Sequence, residues 1–170
     1  MDGSSAPSAE LAELLVTTAK SEHGFVPLRV EGVLPPSLVG TLYRTGPGAF
    51  EAGGTRVSHI FEGDGAISSV RFGQGGAEGA YRFIESEGRK HELEENKALY
   101  GFALPWHRRF YNALTGKVKN TGNTSVMAHQ ERLFALMEGS VPTEIDPNTL
   151  ATIGETRFDG VAQATLPVPT

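Results

Sequence analysis

The 170-residue chain contains no cysteine, which excludes disulfides, thiolate metal sites and cysteine nucleophiles; any metal would have to rest on histidine and carboxylate ligands. It also lacks a basic signature. The net charge is −5, the sequence pI is near 5.5, and Lys and Arg are scattered rather than striped, so no nucleic-acid partner is expected. No apolar run is long enough to span a bilayer, which restricts any membrane contact to the periphery. The first 20 residues carry Asp2, Glu10 and Glu13 and lack the basic start and continuous apolar stretch of a signal peptide, making the cytoplasm the default compartment. What is present, 39% hydrophobic and 21% charged residues, is the composition of a globular chain with length for one ordinary domain.

Ser8 is placed to cap a short N-terminal helix running to Lys20, with Leu11, Leu14 and Leu15 on one face and Gly24 beyond its end. Residues 1–24 therefore read as a leader and helix, a surface appendage. From Phe25 onward, short runs rich in Val, Ile, Phe, Tyr and Thr alternate with Gly and Pro, the texture of an all-β chain. Strands are expected at 26–31, 41–44, 56–62, 67–72, 80–85, 117–120, 124–128, 133–137 and 153–158. Gly63-Asp64-Gly65 and Asp146-Pro147-Asn148 read as turns between strands. Between Glu92 and Leu114 the alternation breaks, and Phe102, Leu104, Trp106, Phe110, Tyr111 and Leu114 gather beside Arg108 and Arg109, an irregular and partly helical insertion. Residues 162–170 read as a connector. Many meandering strands without closure suggest part of a radial β-architecture such as a propeller.

The five histidines, His23, His59, His91, His107 and His129, include no pair at the spacing that places two ligands on one helix or strand face. His59 with Glu62 and Asp64 offers two thirds of a facial triad, but a strand-end histidine hydrogen-bonded beside a tight glycine turn is the better reading by several fold. The glycines at 63–65 and 73–76 lack the Lys-Ser/Thr pair and strand-to-helix setting of a phosphate loop, and Ser68-Ser69 lacks a nucleophile elbow. Glu138 ends the apolar run Leu133-Phe134-Ala135-Leu136-Met137 just before Gly139. It reads either as a solvated turn carboxylate or as one delivered from a rigid strand into a site.

A set of phrases in order carries a resemblance. These are Val30-Glu31-Gly32-Val33-Leu34-Pro35, then Leu38-Val39-Gly40-Thr41-Leu42-Tyr43-Arg44-Thr45-Gly46-Pro47, then His59-Ile60-Phe61-Glu62-Gly63-Asp64-Gly65. Lys119-Asn120-Thr121-Gly122-Asn123-Thr124, Ala135-Leu136-Met137-Glu138-Gly139 with Pro142, and Leu150-Ala151-Thr152-Ile153-Gly154 complete it. Together they resemble the opening segment of the carotenoid cleavage oxygenase family, whose members cleave carotenoids, apocarotenoids or stilbenes and include a retinoid isomerase.

That resemblance covers roughly residues 30–160 and implies a seven-bladed β-propeller, of which residues 25–170 would be the incomplete first part. It implies Fe(II) held by four histidines from separate blades, with the first ligand falling beyond this chain and none of its five histidines at a ligand position. Glu138 would match a glutamate that accepts a hydrogen bond from the far ring nitrogen of a ligand histidine, giving support rather than coordination. His59, Glu62 and Asp64 match a phrase usually written with Asp at the Glu62 position and are taken as strand-turn architecture. The chemistry implied is cleavage by O2 of a conjugated double bond in an apolar polyene, giving two carbonyl products. Residues 102–114 would either dip into a membrane at the mouth of the substrate tunnel or cover propeller core. The 170-residue chain itself is expected to be inactive, and the competing expectation is a non-enzymatic β-rich binding fragment that has lost the metal site.

Overall fold

The computed structural model describes residues 16–73 and 75–158. Twelve elements follow in order: β1 (His23–Pro27), β2 (Gly40–Ala49), β3 (Glu51–Ala52), β4 (Thr55–Arg56), β5 (Asp64–Gly73), β6 (Gly76–Phe83), α1 (Glu87–Glu95), α2 (Trp106–Leu114), β7 (Ser125–His129), β8 (Arg132–Leu136), β9 (Thr143–Ile145) and β10 (Thr152–Glu155). The architecture is mostly β, with two four-stranded sheets ordered β1-β6-β5-β2 and β10-β9-β8-β7, and a small β3-β4 hairpin. All pairings are antiparallel. Both large sheets are open, and no closed ring of blades is formed by the described residues.

The sheets meet over a shared apolar core. Ile67, Ala80 and Ile84 from the first sheet side pack with Leu133, Ala135, Ile145 and Leu150 from the second, and Phe25, Tyr43 and Val126 close the margins. Burying each of the Ile and Leu side chains contributes about 1.5–3 kcal/mol relative to exposure. The sheets are also tied by polar groups, since Gly65 N donates to Thr121 O at 2.8 Å. A Cβ on Gly65 would lie 2.5 Å from that oxygen, so only glycine allows the approach.

Several expectations change. The strand expected at 56–62 is cut short because Glu62 and His59 form a reciprocal capping box around a 3₁₀ turn at Ile60–Glu62. The strand expected at 117–120 is absent: the buried Asn120 side chain serves Val141 O, Thr143 Oγ1 and Gly122 N in place of a ladder partner. Gly63 alone makes the turn expected at 63–65, and β5 starts at Asp64. The insertion resolves into α1, capped by the Ser86 hydroxyl and ended by left-handed Asn96, then an irregular stretch, then α2. β9, a three-residue strand, was not anticipated. The expected N-terminal helix falls mainly on residues 1–15, outside the described residues, as does the connector at 162–170. Residues 16–22 are not helical. They lie along the sheet instead, with Ala19 N bonded to Gly48 O and Thr18 Oγ1 accepting from Phe50 N.

Candidate functional site

Where β2 ends and β5 begins, the loops 49–62, the link 117–121 and the insertion 98–118 surround a cavity of about 1,020 Å³. Its lining is predominantly apolar, with Phe61, Phe102, Leu114 and Met137 prominent, and its size is at the upper end of what ligand pockets span. Polar groups on its wall include Glu62, the Asp64–Lys119–Glu92 cluster and Arg109.

Glu62 organises the outer wall. Its Oε2 accepts from Ser58 N (3.0 Å), Ser58 Oγ (2.7 Å) and His59 N (3.1 Å), while Oε1 accepts from Phe102 N across the cavity rim. Partial burial works against the charge, but the hydrogen bonds from Phe102, Ser58 and His59 outweigh it and hold the carboxyl below its ordinary pKa. His59 Nδ1 accepts from Phe61 N at 3.2 Å, and its ring meets the Phe61 ring edge-on at 5.0 Å. Asn123 Nδ2 donates to Phe61 O at 2.9 Å and Gly63 O at 2.8 Å, fixing the same loop from below.

The inner wall is a buried charge network. Asp64 pairs with Arg89 at 3.1 Å and with Lys119 at 2.6 Å, and Lys119 also pairs with Glu92. Glu92 in turn accepts from Leu99 N (2.8 Å) and Tyr100 N (3.2 Å). The network thereby fastens α1 and the segment after it to β5 and to the link that carries Lys119.

The sequence-predicted residues fall into three groups. His59, Glu62 and Asp64 are not a metal triad: His59 and Glu62 cap a turn, while Asp64 is committed to two cations. Among the described residues, no three histidine or carboxylate side chains converge as a metal site. Glu138 is exposed in the turn after β8, two residues past the strand's end, and accepts from Thr124 Oγ1 at 2.8 Å. Of the aromatic insertion, Phe102, Trp106, Phe110, Tyr111 and Leu114 are exposed and Leu104 is half-buried. Lys119, Glu92 and Asn123 escaped a reading of the sequence as site residues. Their signal was only the phrase 119–124, since the pairing of Glu92 with Lys119 spans 27 positions.

The family model described as RPE65, retinal pigment epithelial membrane protein, matches residues 16–168. The chain belongs to this family of carotenoid cleavage oxygenases. It is 34% identical over 139 residues to the apocarotenoid-15,15'-oxygenase of Synechocystis sp., covering 78% of this chain and 28% of that one. It is also 34% identical over 145 residues to lignostilbene-alpha,beta-dioxygenase isozyme III of Sphingomonas paucimobilis, covering 82% and 28% respectively. Carotenoid cleavage dioxygenase 7 of rice is 36% identical over 151 residues, covering 82% and 24%. Cobalt-substituted Synechocystis apocarotenoid oxygenase superposes with a TM-score of 0.80 at 31% identity, covering 90% of this chain and 33% of that one. An apocarotenoid oxygenase/RPE65 chimera superposes with a TM-score of 0.79 over 88% of this chain and 32% of its own. This member of the family thus spans about a quarter to a third of the length of the relatives it matches. No helix among its described residues is long and apolar enough to cross a membrane.

Proposed function

We propose that this chain is the N-terminal portion of an oxygenase that uses O2 to cleave a conjugated carbon–carbon double bond in a carotenoid or apocarotenoid, and that it is inactive by itself. The carrying observation is the apolar cavity, lined by Phe61, Phe102, Leu114 and Met137, in a chain 34% identical to an apocarotenoid oxygenase. A polyene presents carbon and hydrogen along its length, so recognition rests on apolar walls and shape. The two four-stranded sheets fit successive blades of a propeller that the rest of the architecture would close into seven.

By the family resemblance, the Fe(II) of the complete enzyme would be held by histidines beyond this chain. Glu138 has the chemistry of a supporting residue, an exposed carboxylate in the turn after β8 that is already oriented by Thr124. Solved variants of the Synechocystis enzyme replace a threonine, a tryptophan and a glutamate, the tryptophan immediately before the glutamate and the threonine fourteen residues before it. Thr124 and Glu138 share that spacing, with Met137 where the tryptophan stands, which supports matching Glu138 to that glutamate; the role of orienting a ligand histidine is what the family resemblance implies. The exposed aromatic face of α2 beside the cavity fits peripheral contact with a membrane that dissolves the substrate.

The test replaces the corresponding N-terminal segment of the Synechocystis enzyme with this chain. A folded chimera should turn an apocarotenal and O2 into two carbonyl products, whereas the isolated chain, loaded anaerobically with Fe(II) and desalted, should retain no stoichiometric iron. A folded chimera without turnover would remove the enzymatic reading, and one tightly bound iron per isolated chain would remove the assignment of the ligands elsewhere.

A further inference from the structure

We infer that Glu62 is a positioning residue for ligand entry: its carboxylate latches the loop 58–62 to the segment 99–102 and so holds Phe61 and Phe102 at fixed separation across the cavity rim. The inference rests on reading the cavity as the ligand site.

Each side of the rim has its own anchor. Phe61 is held by Asn123 through its carbonyl and by His59 through its amide. Leu99 and Tyr100 hang by their amides from the buried Glu92. The hydrogen bond that joins the two sides is the one from Phe102 N to Glu62 Oε1. Both aromatic side chains remain largely exposed, Phe61 at 76% and Phe102 at 65%; beyond the edge-on His59 ring at Phe61 and the Arg109 guanidinium over Phe102 they have little packing, so their placement depends on the backbone bonds.

The backbone is shaped for this contact. Gly101 sits at φ +95, which strains any other residue, and a Cβ there would lie 2.8 Å from Glu62 Oε1. A carboxylate is also what the contact needs. Three donors from Ser58 and His59 converge on one oxygen and a fourth from Phe102 on the other, a set that an acceptor-only group satisfies and an amide does not. Aspartate would keep the charge and the turn cap but, one methylene shorter, would not span to Phe102.

Amide hydrogen exchange of the full 170-residue chain tests the latch without any ligand. In Glu62→Asp the Phe102 amide should exchange about tenfold faster or more, as expected on losing a bond to a charged acceptor, while Leu99 and Tyr100 keep most of their protection through Glu92. All-trans-retinol, followed by energy transfer from Trp106, the single tryptophan, should then leave Glu62→Asp several-fold faster than the parent. Glu144→Gln, which breaks a surface pair with Arg132, should leave both readouts unchanged. Unaltered Phe102 exchange in folded Glu62→Asp overturns the latch. If Glu62→Ala unfolds, Glu62→Asp still decides the matter; if both unfold, Glu62 serves the fold and not the rim. Retinol failing to bind the parent chain would instead count against the cavity as the ligand site, leaving the exchange result to stand separately.

Discussion

Lys119 brings one ammonium to two carboxylates, Asp64 and Glu92, and all three side chains are at most 10% exposed. Desolvating three charges is costly, and the arrangement holds because each is met: Asp64 by Arg89 as well as Lys119, and Glu92 by two backbone amides as well as Lys119. Removing the cation leaves Glu92, only 4% exposed, with amides alone. Lys119→Met is therefore expected to destabilise the chain by about 3–5 kcal/mol, the range for breaking a buried pair from one side. Adding Glu92→Gln to that variant should recover part of the loss, because the amide oxygen can still accept from Leu99 and Tyr100 without a charge to bury. Urea titrations of the three proteins provide the check; a single variant within about 0.5 kcal/mol of the parent, typical of surface sites, would show that the network is solvated.

At the scale of elements, α2 places Trp106, Phe110 and Leu114 at successive i, i+4 positions, so they share one face, and they are 77%, 64% and 76% exposed. The helix is held at the cavity by Asn112, whose Nδ2 donates to Leu99 O at 2.9 Å, and Leu114 at the end of the stripe also borders the cavity. An outward apolar stripe flanked by Arg108 and Arg109 suits the boundary of a lipid headgroup layer. Phe110→Glu should weaken binding to anionic liposomes by tenfold or more, in keeping with the roughly 1.5–3 kcal/mol of burying one phenylalanine; sedimentation with vesicles measures it, and unchanged partition would return the stripe to its other reading, cover for propeller core. The strands were legible because β-branched and aromatic runs between glycines leave little alternative, and eight of the elements read this way fall on or beside observed strands. α1 was not, because Glu-Gly-Arg-Lys-His-Glu-Leu-Glu-Glu has no apolar face to give it a period; its signals are the cap Ser86 and the terminator Asn96. The 3₁₀ turn at 60–62 was hidden for the opposite reason: its apolar residues imitate a strand, and the capping box of His59 and Glu62 overrides them.

At the scale of the molecule, phrases far apart in the sequence converge. The runs 59–65 and 119–124 meet through Asn123, Gly65 and the Asp64–Lys119 pair, and Glu138 joins them through Thr124. The convergence could not be read from spacing, because it depends on how two sheets stack; the resemblance pointed to the phrases but not to their contacts. The same architecture leaves strand edges and apolar surface uncovered. Among the described residues, β2 and β1 border the first sheet and β7 and β10 the second, and Val39 (74% exposed), Leu42 (53%) and Ile153 (63%) lie on or next to two of these borders. An edge strand offers unpaired amides and carbonyls to any other chain, and apolar neighbours add a driving force to that pairing. The isolated 170-residue chain should therefore self-associate in proportion to its concentration. Leu42→Lys with Ile153→Lys should shift it toward monomer, since a lysine on an edge must be desolvated for a second strand to dock. Sedimentation velocity across a hundredfold concentration range distinguishes the cases: a parent chain that stays monomeric and melts in one sharp transition would mean that these edges are already protected.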